Sequence, residues 1–147
     1  MGGGESVFST AWSASSDLLA AASQDGHVFV WDVRRTSSPL ARLPASSVGP
    51  RAAQLPACRS VKFTTAGPLD LLVFSEHTSN VHVVDARTFT QQQVIDVARD
   101  CNKAGSGVAG LAFADKGRTL VVALEERLAQ YEIDSLTRRT FTVGAWR

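Results

Sequence analysis

The chain has 147 residues, enough for one ordinary domain with a sizeable core. An apolar share of 44% against 20% charged residues is globular composition and excludes a disordered chain. Fifteen Lys and Arg against fourteen Asp and Glu leave a net charge of +1, which supplies no overall field to draw in nucleic acid or an anionic membrane.

The predicted elements are short strands throughout. The first group is Val7–Trp12, Leu18–Ser23 and His27–Val33, with Asp25-Gly26 between the second and third strands. An Asp-Gly pair between β-rich runs supplies the φ > 0 positions of a two-residue hairpin turn. The second group is Cys58–Phe63, Asp70–Ser75 and Asn80–Asp85; the third is Val108–Phe113, Thr119–Leu124 and Leu128–Asp134. Each group ends on an apolar residue followed by Asp: Trp31-Asp32, Val84-Asp85 and Ile133-Asp134, spaced 53 and then 49 positions apart. A fourth strand follows in each, at Leu40–Leu43, Gln93–Val97 and Thr140–Val143. A period of that order with four strands per unit points to a propeller rather than a helical solenoid.

The expected fold class is therefore all-β: one partial propeller domain over residues 1–147, with three four-stranded antiparallel blades at about 5–45, 57–97 and 106–145. The nearly all-apolar second strand of each unit suits a strand covered on both faces. Pro- and Ser-rich Thr36–Pro39 and Pro44–Pro56 read as surface connections.

Ser23, Asp25 and Trp31 carry a resemblance to a known family, because the first unit resembles a WD-repeat blade. The resemblance implies that Ser23, Asp25 and Trp31 form most of a structural tetrad, with the Trp31 indole donating to Ser23 and Asp25 orienting the group. No His precedes Val7 to complete it. In the later units Thr78 and Arg127 stand in the place of Asp25, and Val84 and Ile133 in the place of Trp31. A second resemblance covers about residues 59–98. Gly67 to His77, followed by Val81 to Arg87, looks like the domain of unknown function 2415, found within fungal WD-repeat proteins. Propellers usually close with roughly four to eight blades, so three leave apolar faces that further blades or a second copy of the chain would cover.

Other constellations are weaker. Cys58 and Cys101 lie 43 positions apart with no Cys-x-x-Cys spacing, which reads as reduced thiols in a cytoplasmic or nuclear protein. Met1–Ser6 has no basic stretch leading into an apolar one, so no signal peptide is expected, and no apolar run is long enough to span a bilayer. His27, His77 and His82 lack metal-ligand spacing and read as ordinary strand and turn residues. Asp115–Arg118 and Glu125-Glu126-Arg127 read as solvated hairpin tips, and no nucleophile elbow or phosphate loop is present. Arg138-Arg139 and Arg147 lack the aromatic interleaving of a nucleic-acid site. No catalytic residue and no cofactor is expected.

Arg34-Arg35-Thr36-Ser37 matches the pattern read by basophilic kinases, which makes Ser37 a candidate phosphorylation site. Trp31-Asp32-Val33-Arg34 also resembles the box by which some WD-repeat substrate receptors dock on the adaptor of cullin-RING ubiquitin ligases, and Val84-Asp85-Ala86-Arg87 echoes it. Arg34 and Arg87 are accordingly candidate partner contacts. The expected role is a non-catalytic platform that binds other proteins. A ubiquitin-ligase substrate receptor is the first alternative. A metal-dependent propeller hydrolase is the second, although the strand starts that would face a channel offer only Val7, Cys58 and Val108.

Overall fold

A computed structural model describes residues 5–46, 54–67, 69–101 and 107–133. The first sheet is an antiparallel meander of β1 (Val7–Trp12), β2 (Leu18–Ser23), β3 (His27–Asp32) and β4 (Ala41–Pro44). The second repeats it with β5 (Cys58–Phe63), β6 (Leu71–Glu76), β7 (Asn80–Asp85) and β8 (Gln92–Asp96). The third has β9 (Val108–Ala114), β10 (Thr119–Leu124) and β11 (Leu128–Glu132) among the described residues. Its expected fourth strand, Thr140–Val143, lies outside them. Asp96 ends β8 and caps a one-turn helix α1 (Val97–Asp100), accepting from the Arg99 amide at 3.2 Å.

The sheets pack face to face through two cores. Ala20, Ala22, Val28, Val30 and Leu43 of the first meet Val61, Phe63, Leu72, Phe74 and Val84 of the second. On the other side of the second sheet, Leu71, Val73, Val81, Val83 and Ile95 meet Leu111, Leu120, Val122, Leu124 and Tyr131 of the third. Alternate residues of a strand face opposite ways, so β6 serves both cores and is buried along its whole length. Three twisted sheets stacked in this manner form part of a propeller.

The first strand of each sheet carries a register irregularity near its start. Val7 pairs with Ser23 and Ser9 with Ala22, which leaves Phe8 as the extra residue. Cys58 pairs with Glu76 and Ser60 with Ser75, leaving Arg59. Val108 pairs with Leu124 and Gly110 with Ala123, leaving Ala109. At the opposite end of the strands the second and third sheets meet backbone to backbone. A Cβ on Gly67 (φ +105°) would strike the Lys116 carbonyl, and one on Gly117 (φ +80°) the Ala66 carbonyl, so both positions require glycine.

Candidate functional site

The turn at Asp25-Gly26 forms because Gly26 takes φ +84° and Asp25 caps the backbone, its Oδ1 accepting from the His27 amide at 3.1 Å. Ser23 Oγ accepts from the Asp25 amide at 3.5 Å. Trp31 sits elsewhere. It pairs with Leu19, while Ser23 lies beyond the Ala22–Val28 pair, four residues along the hairpin and roughly 13 Å away. The indole-to-Ser23 bond implied by the resemblance is therefore not made. Trp31 instead stacks on Phe29, with ring centroids 5.7 Å apart, and the Arg42 guanidinium lies over Phe29 at 5.6 Å. Val28 and Val30 face the second sheet, so this aromatic row faces away from it. Trp12, 53% exposed, lies across Leu19 on the same outer face.

The polar centre of the molecule lies instead between the first two sheets. Glu76, at the end of apolar β6, is fully buried. Its Oε1 accepts from His82 Nε2 and from the Ser46 amide, both at 2.5 Å. Its Oε2 accepts from Thr78 Oγ1 at 2.8 Å and Asn80 Nδ2 at 3.2 Å. His82 stacks on Phe74 with centroids 4.3 Å apart and planes within 6°. Burial pushes the Glu76 carboxyl up, but the bonds from His82, Ser46 and Thr78 outweigh it and hold the group at about 2. One carboxylate thus ties the β6–β7 hairpin to the chain leaving the first sheet.

Sequence reading takes His82 as an ordinary strand histidine and gives Glu76 no role. The available signal was a single acid ending an otherwise apolar run. Ser46, His82 and Glu76 suggest a hydrolytic triad, but the chemistry requires serine and carboxylate on opposite ring nitrogens. Here Ser46 Oγ (3.4 Å) and Glu76 both meet Nε2, and His82 is 1% exposed. The cluster is a structural pin. Buried Cys58 nearby is driven up to about 12 by burial and by the carboxylates of Glu76 and Asp25, which suppresses its thiolate chemistry at neutral pH.

Asp32 and Asp85 close the same turn in the first two sheets. Asp32 accepts from Arg34 N (3.0 Å), Nε (2.9 Å) and Nη2 (2.6 Å). Asp85 accepts from Arg87 at 2.9, 3.0 and 2.6 Å through the same atoms. The fork of hydrogen bonds from Arg34 holds the Asp32 carboxyl at about 2 and raises Arg34 in turn. Both Asp-x-Arg steps are thus satisfied within their own turns, with the Arg34 side chain 71% exposed.

Residues 2–32 match the family model described as WD domain, G-beta repeat. The first three strands are thus similar to a WD repeat. Residues 56–96, the second sheet, match the uncharacterised protein domain DUF2415. The chain is 34% identical over 141 residues to an uncharacterised protein of Schizosaccharomyces pombe (C4G3.03), and the match covers 93% of the chain and 40% of the relative. It is 30% identical over 95 residues to an uncharacterised Saccharomyces cerevisiae protein (YLR149C), covering 65% of the chain and 12% of that relative. The chain therefore spans less than half the length of either fungal relative.

The remaining candidates lie apart. Ser37 is in the exposed turn between β3 and β4, away from the Glu76 cluster. His27 lies 3.3 Å from Asp25, and His77 Nδ1 lies 3.0 Å from Arg59 Nη2 on an exposed edge. Among the described residues no group of three His, Cys, Asp or Glu could hold a metal ion. Among them, too, no helix is long and apolar enough to cross a membrane. Arg138, Arg139 and Arg147 lie outside the described residues.

Proposed function

We propose that the chain is a non-catalytic platform for other proteins and part of a larger propeller whose further blades cover the open face of the first sheet. A WD repeat in itself suggests a protein-interaction scaffold. One observation carries the finer reading. The second sheet repeats the first with a displacement of 53 positions, so Leu19, Phe29 and Trp31 correspond to Leu72, His82 and Val84. In the second sheet those positions are 0–1% exposed beneath the first sheet. In the first sheet Leu19, Phe29 and Trp31 are only partly buried, with exposed Trp12 beside them. A sheet surface of that composition is suited to cover by another sheet, or by a protein that replaces one.

Sedimentation velocity on the purified chain tests this. Association into a dimer or larger species, abolished by Trp12→Ser with Trp31→Ser, is expected. A chain that stays monodisperse and monomeric at tens of micromolar, and that captures no protein, overturns the reading.

The exposed Arg34 fork favours a second reading, docking to a ubiquitin-ligase adaptor. Recovery of the adaptor with the chain, lost in Arg34→Ala, would support it. Recovery independent of Arg34, or none at all, removes it. On either reading Ser37 phosphorylation would place about −2 charge near Arg34 and Arg35 and alter what that edge accepts.

A further inference from the structure

The hairpin joining β9 to β10 turns with an unusual hand. Ala114 pairs with Thr119, so Asp115, Lys116, Gly117 and Arg118 form a four-residue loop. Loops of that length are most often built around a type I turn, whose central residues have negative φ. Here Asp115 (φ +46°), Lys116 (φ +53°) and Gly117 (φ +80°) are left-handed in succession. Glycine takes that region freely, and a short Asp side chain tolerates it. Lys116 does neither: its Cβ crowds the following carbonyl, and its exposed side chain offers no local compensation.

The second sheet supplies the reason for this hand. The Lys116 carbonyl occupies the space that a Cβ on Gly67 would fill, and the Ala66 carbonyl does the same at Gly117. Reversing the turn would withdraw both the Lys116 carbonyl and Gly117 from that reciprocal fit. The chain just past β11 is tied to the same turn, because the Ile133 amide donates to the Arg118 carbonyl at 2.8 Å. Beneath the turn lies the rim end of the second core. Leu69 and Leu71 of the second sheet meet Leu120 and Ile133 of the third there, each at most 7% exposed. A residue in a costly backbone region persists where its surroundings over-determine it, and such residues gather in segments that switch.

We propose that this backbone clasp is a conformational latch with two states. In the closed state the turn is left-handed and the four side chains below it are covered. In the open state Lys116 relaxes to a right-handed conformation, the rim parts, and Leu69, Leu71, Leu120 and Ile133 line an apolar groove. Burial of those side chains favours the closed state, whereas the strain at Lys116 favours the open one. Local opening releases the strain while uncovering only one end of one core, so it costs less than unfolding the chain. The first seam, pinned by Glu76, stays closed throughout, and the latch is independent of the platform reading.

Amide hydrogen exchange of the full chain, followed by NMR at a series of low urea concentrations, tests the latch. The Arg118 and Ile133 amides make bonds that belong to the closed turn. They are expected to be at least about tenfold less protected than Val28 and Val30 of the first sheet, with a weaker dependence on urea. Lys116→Gly, which removes the strain and adds no atoms, is expected to slow both rim amides roughly threefold. Lys116→Ala keeps the Cβ and should leave them unchanged, which separates backbone hand from the lysine charge. Rim amides that share the protection and urea dependence of the first sheet overturn the latch, because only global unfolding then opens the rim. Exchange in Lys116→Gly no slower than in wild type overturns it too, because the turn then stores no strain. An equal effect from Lys116→Ala also overturns it, by assigning the change to the side chain.

Discussion

Glu76→Ala is expected to lower the unfolding free energy by about 3–5 kcal/mol, the cost of removing one member of a buried charged network. The substitution leaves the half-buried Ser46 amide and Asn80, the exposed Thr78 and the fully buried His82 without their acceptor. Urea denaturation at pH 7 measures the loss. Glu76→Gln, which keeps an acceptor oxygen but loses the charge, is expected to fall between wild type and alanine. Acid gives an independent reading. The folded carboxyl sits at about 2, below its ordinary 4.5, so its contribution is fully present above pH 4.5 and is lost as pH falls towards 2. Stability of the wild type should decline across that interval more steeply than that of Glu76→Gln. Equal slopes would show that the carboxylate is not held by these bonds.

Leu72→Ala is expected to cost about 2–5 kcal/mol, the range for a buried leucine cut to a methyl. Its counterpart one repeat earlier, Leu19→Ala, should cost less than about 1.5 kcal/mol in the isolated chain, because Leu19 is only partly buried. The difference arises from covering alone, since the two residues share chemistry, strand and pairing position. If the open face of the first sheet becomes covered in an assembly, the Leu19→Ala penalty should rise towards that of Leu72→Ala. Chemical denaturation of both variants, with and without the partner, measures the change.

The strand pattern was legible because each hairpin is written locally. Alternation marks the exposed and buried faces, and Asp25-Gly26 fixes a turn within four residues of the pairs it joins. The Glu76 network was not legible for the opposite reason. Its carboxylate is satisfied by Ser46, thirty positions earlier, and no local rule brings a linker amide over the end of an apolar strand. His82 gave only its alternation, which is silent about what lies across the seam. Trp31 shows the limit of a motif. The Trp-Asp ending places the strand correctly, but Ala21 is the small residue diagonally beside the indole, and Ser23 sits at the far end of the hairpin. The Phe8, Arg59 and Ala109 bulges were hidden because one extra residue leaves the composition of a strand unchanged while turning its side chain.

The two inter-sheet seams are fastened at opposite ends. Glu76 clasps the first seam at the end of β6, whereas Gly67 and Gly117 lock the second at the far rim. A side chain at either glycine would therefore wedge the second and third sheets apart at that end and leave the first seam untouched.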